Sequence, residues 1–170
     1  MKISLSRSTV LTYLAITILL LTIPGAIRRS IQTGDPYLFT KHFFEDMLAR
    51  LSGPGRLRFI LQPVVALLVG ARDGTRDARL GLPPFLWALI FHGAHRLHLL
   101  RSAFASVRNI LAIAILLDMI SQFLIFRDIH PGAALLLGPV LVAAPYAVSR
   151  ALANRIARGR HQQAPAIRPS

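Results

Sequence analysis

The chain has 170 residues, 54% of them hydrophobic, with a mean hydropathy of +0.53 and a formal net charge of +13 from 20 basic against 7 acidic residues. The apolar residues gather in long runs and exceed the usual soluble share. The arginines flank those runs, a placement that points to membrane orientation and lipid contact, not to nucleic acid. The absence of cysteine excludes disulfides, thiolate metal sites and cysteine nucleophiles and leaves the redox compartment open.

The first apolar run, 8–27, follows Lys2 and Arg7 and meets Arg28 and Arg29. Pro24, Gly25 and Ala26 make no clear small-x-small cleavage site, so an uncleaved anchor is preferred over a signal peptide. An amphipathic helix over 36–51 follows, with Asp35 as N-cap, Pro36 at its first position and Gly53-Pro54 as its stop. Phe39, Phe43, Met47 and Leu51 recur every fourth residue, the stripe of a helix lying at the membrane interface.

The apolar stretch 58–72 is short for a hydrocarbon core of roughly 30 Å and carries Pro63, so a re-entrant helix competes with a short fourth span. Its helix is expected to run on through Asp73, Arg76, Asp77 and Arg79 to a stop at Gly81. The stretch 84–101, broken by His92, His95, Arg96 and His98, is expected to be a second interfacial helix. Runs 110–126 and 131–152 form a spanning hairpin; small residues in the second, including Gly138, Ala143 and Ala147, allow close helix approach, and Pro139 and Pro145 predict a bend. The tail 161–170 is polar and is expected to be disordered.

These elements predict an all-α polytopic bundle in one membrane domain over 1–160, with three spans plus the short helix. Two topologies compete. Four crossings place 13 basic residues on one side (Lys2, Arg7, those of 72–108 and those from Arg150 onward) and 7 on the other. Three crossings, with 28–108 and the tail together, give 17 to 3 and fit the positive-inside rule better. Both place the carboxyl terminus in the cytoplasm and the turn after Arg127 outside. Arginine outnumbers lysine 18 to 2, a compositional hint of a high-GC bacterial source.

Asp118 lies in the middle of the run 110–126, where an ionised carboxylate costs at least roughly 2.5–3.5 kcal/mol without compensation. Gln122 shares its face, and the expected partners are Arg58 and Gln62, or Tyr146 and Ser149. This cluster is either a packing device or a proton- or cation-binding site. The HxxHxxH row of His92, His95 and His98 suggests a metal, but the outer two lie about 120° apart on a helix and no acidic residue occurs between 78 and 117. No metal and no cofactor is therefore expected. Arg72, Arg76 and Arg79, with Arg96 and Arg101, are candidate contacts for anionic lipid headgroups, although Asp73 and Asp77 suggest that the first three are self-paired along their helix.

GxGxxG, GK[ST], GxSxG and HExxH motifs are absent. The stretches GDPYLF at 34–39, GPGRLRFILQP at 53–63 and RDGTRDARLGLPPFLW at 72–87 resemble small bacterial membrane proteins of unassigned function, a resemblance over about a third of the chain that carries over no catalytic or binding residue. The expectation is a bacterial inner-membrane component, structural or accessory, contacting lipids and a membrane protein or a second copy. A small carrier using Asp118 and an enzyme or binder of lipid headgroups are the alternatives.

Overall fold

The computed structural model describes residues 7–34, 37–91 and 93–163. Those residues form six helices, with no strand among them: α1 (Arg7–Thr33), α2 (Lys41–Ser52), α3 (Arg58–Arg79), α4 (Phe85–Phe91), α5 (Gly93–Phe126) and α6 (Pro131–Gln163). Three stretches are long and apolar enough to cross a membrane: Thr9–Thr33 in α1, Arg96–Phe126 in α5 and Pro131–Arg160 in α6. Only 6% of the most apolar stretch of α1 is buried, so nearly all its side chains face outward, as suits a helix surrounded by lipid.

Several boundaries differ from the sequence expectations. Helix α2 starts at Lys41, not at 36: Thr40 is its N-cap and accepts the Phe43 N–H at 3.4 Å. Asp35 and Pro36, the expected cap and first position, lie outside the described residues. Phe39, counted on the helix stripe, instead has φ +65° in the preceding turn. Gly53 does cap the far end, donating to Ala49 O at 2.9 Å.

Pro63 does not break α3, because it lies in the second turn and forfeits only the bond to the carbonyl of Phe59. The helix ends at Arg79, followed by Gly81 at φ +71°.

The expected interfacial helix 84–101 is described in two stretches, with residue 92 between them outside the described residues. Its first part is the short α4, and its second part is the start of α5, which runs without interruption to Phe126 since no glycine or proline occurs between residues 94 and 126. At the other end α6 continues to Gln163, past the expected start of a disordered tail at 161; residues 164–170 lie outside the described set.

Two compact units are present, each assembled from segments distant in sequence. The first comprises Met1–Pro63 with Val107–Ala143. Its core joins Leu19 of α1 to Ile115 and Met119 of α5 and Ala134 of α6, with Ile18, Leu111 and Ile129 around them. Further along α1, Arg29 pairs with Asp128 and donates to Ile129 O at 2.7 Å. Both levels of contact rise together in residue number, so α1 runs parallel to this part of α5.

The second unit comprises Val64–Ser106 with Ala144–Ser170. Here α3 packs along α6 through two glycines four residues apart. A Cβ on Gly70 would sit 2.5 Å from Tyr146 O, and one on Gly74 would overlap the carbonyl oxygen of Arg150. Further bonds hold this packing: Ser149 Oγ donates to Leu67 O of α3 at 2.6 Å, and Asn154 Nδ2 to Leu82 O in the turn after α3 at 3.1 Å.

Candidate functional site

The first unit encloses a cluster of charged side chains. Arg50, Arg58, Asp118 and Gln122 are all buried, with Arg50 and Gln122 fully so. Asp118 Oδ1 lies 2.6 Å from Arg58 Nη2, and its Oδ2 lies 3.8 Å from Arg50 Nη1 and accepts from Gln122 Nε2 at 2.6 Å. Two guanidiniums and an amide thus close around one carboxylate, the compensation such a charge requires away from water.

Helix geometry explains the convergence. Gln122 is one turn beyond Asp118 on α5, and its Oε1 accepts the backbone N–H of His130 at 2.6 Å, tying the carboxylate to the α5–α6 turn. Gly55, at φ +86°, brings the start of α3 so close to α5 that a Cβ would lie 2.5 Å from Ser121 Oγ. That approach lets Arg58 reach both Asp118 and the carbonyl of Leu117, the latter at 2.9 Å. The remaining guanidinium surface meets rings: Arg58 lies 4.8 Å from the Phe59 centroid and Arg50 5.6 Å from that of Phe126.

The network extends through Arg50 to the outer rim of the unit. Arg50 Nη2 donates to Tyr37 Oη at 3.2 Å, and Tyr37 donates in turn to Asp46 Oδ2 at 2.6 Å. Burial first, then this bond to Asp46, pushes the Tyr37 phenol well above its ordinary range, so it stays a donor. The Tyr37 ring stacks on His130 with centroids 3.7 Å apart, and burial pushes the His130 imidazole below its ordinary value despite nearby Asp128. A cavity of about 650 Å³ opens beside this stack, with Arg29, Leu38, His42 and Asp46 in its wall.

Of the residues singled out from sequence, Asp118, Gln122 and Arg58 are in direct contact. Gln62 is buried on α3 with neither amide atom hydrogen-bonded. Tyr146 and Ser149, the other expected partners of Asp118, serve the second unit, where Tyr146 Oη donates to Asp73 Oδ2 at 2.7 Å. There Arg150, also buried, grips Asp77 with Nε at 2.7 Å and Nη2 at 3.1 Å, while its Nη1 donates to Tyr146 Oη at 2.9 Å.

Arg72, Arg76, Arg79, Arg96 and Arg101 are exposed. Arg96 also donates to Leu89 O at 2.7 Å. His98 is exposed on α5, whereas His92 and the side chain of His95 lie outside the described residues.

Sequence reasoning overlooked Arg50, Tyr37 and the Arg150–Asp77 pair. Arg50 falls outside the apolar stripe of its helix and Arg150 near the end of an apolar run, placements that give no sign of burial in the sequence. The four-residue spacing of Gly70 and Gly74 was the available signal for the α3–α6 contact.

Comparison with family models, curated proteins and solved structures found no match to this chain.

Proposed function

We propose that this chain is a non-enzymatic component of a bacterial cytoplasmic membrane, structural or accessory, whose helices are held in register by buried arginine–aspartate pairs. The observation that carries this reading is the enclosure of Asp118 between Arg58 and Arg50. A carboxylate that carries protons or cations must release its partners during each cycle. Asp118 is instead enclosed by the buried guanidiniums of Arg58 and Arg50, which favours a strut over a relay.

The topology that accompanies this reading has four crossings, with the carboxyl terminus in the cytoplasm. Parallel α1 and α5 traverse the membrane in the same direction, so the chain between them returns across it. Helix α3 is the stretch available for that return, its mostly apolar part 58–71 reaching about 21 Å and its charged end, Arg72 to Arg79, extending into the headgroup level. The division of basic residues is then 13 to 7, with the larger number cytoplasmic. The partner of such a component is another membrane protein or a second copy of this chain.

The test compares the unaltered chain with Asp118→Asn in proteoliposomes. Ion and proton flux no greater than that of empty vesicles, together with a lower melting temperature for the variant, supports the strut. Flux that requires Asp118 in a variant that still folds would assign the carrier role instead.

A further inference from the structure

On α3 the acidic and basic residues that alternate in sequence separate in space. Asp73 and Asp77 turn to α6, where they are taken by Tyr146 and Arg150. Gly70 and Gly74 lie on that same face, against α6. Arg72, Arg76 and Arg79 occupy a stripe rotated from it by roughly 140° at 100° per residue, and all three are exposed. Among the described residues none of the three has an ion pair with any carboxylate. The self-pairing suggested by their spacing is replaced by an unneutralised cationic stripe.

The stripe continues an apolar one. Val65 and Leu68 fall within about 50° of the arginines on the helix and are exposed, Leu68 to 66%. One face of α3 thus passes from bare aliphatic side chains to three guanidiniums within a turn, the order in which a phospholipid presents acyl chain and phosphate.

We propose that this face of α3 binds an anionic phospholipid, its phosphate held by Arg72, Arg76 and Arg79 and its chains lying along Val65 and Leu68. Planar guanidiniums match phosphate oxygens bidentately, and the aliphatic half of the stripe selects a lipid over a soluble phosphate.

The test measures melting of the full chain in detergent titrated with phosphatidylglycerol, with phosphatidylcholine of the same chains, and with inorganic phosphate. Phosphatidylglycerol should raise the melting temperature more than phosphatidylcholine, with an effect that weakens as salt is added. In Arg72→Gln/Arg76→Gln/Arg79→Gln that difference should vanish, the apparent affinity falling about fivefold per arginine and on the order of 100-fold in all. The corresponding triple lysine variant should retain part of it. Equal shifts from both lipids, or full retention in the glutamine variant, would overturn the proposal. Inorganic phosphate reproducing the whole shift would overturn it as well, by assigning a soluble ligand.

Discussion

Arg29, near the end of α1, forms an ion pair with Asp128 in the turn between α5 and α6. The two ends therefore lie together, a relationship that supports the proposed four-crossing topology. The count of basic residues alone favours three crossings, whereas the core around Leu19 and Ile115 sets α1 parallel to α5 within the first unit. Cysteines introduced singly as Thr33→Cys and Arg127→Cys in this cysteine-free chain should react with an impermeant maleimide from the same side. Labelling from opposite sides would refute the shared end.

Asp118→Leu removes the carboxylate that, among the described residues, is the only one paired with Arg58 and Arg50. A loss on the order of 3–5 kcal/mol in unfolding free energy is expected. Asp118→Asn should also destabilise, by less, since its amide oxygen still accepts hydrogen bonds. In a double-mutant cycle with Arg58→Gln the two losses should be clearly non-additive; simple additivity would show that the pair is not coupled.

Gly74→Val would drive side-chain carbon into the backbone of Arg150, which cannot rotate away as a side chain can. Melting should fall by the equivalent of about 1–3 kcal/mol or more. Gly25→Val, at a position where a Cβ meets nothing, should be far milder. Equal effects at the two positions would rule out close α3–α6 packing as the cause.

Stability should depend on pH through His130. Its folded-state pKa is lowered, chiefly by burial, with Arg29 and Arg50 adding to the effect and Asp128 and Asp46 opposing it. The unfolded chain binds the proton more readily, so the contribution is complete above the ordinary value of about 6.5 and is lost as pH falls from there through the lowered folded value. His130→Phe, which keeps a ring against Tyr37, should flatten the fall of the melting temperature below the ordinary histidine value of about 6.5. An unchanged profile would mean that another group governs it.

What the sequence determined by itself follows from lengths and edges. Three apolar runs long enough for a bilayer, the Gly53 stop of α2 and an all-helical fold depend on local composition, and the local terms add along the chain. Asp118 and its neighbour Gln122 were legible for the same reason, because a carboxylate within an apolar run needs a partner wherever it folds. The identity of the partners was decided only by the tertiary structure. Asp73 and Asp77 have arginines at favourable helical spacing, yet they turn to Tyr146 and Arg150, where burial makes an unpaired charge far more costly than at the surface. Arg50, on a helix that looks amphipathic, is fully buried because Asp118, Tyr37 and Phe126 converge around it from distant parts of the chain. Helical periodicity places a residue on its own helix, but the electrostatic environment that settles its partner is built by other helices.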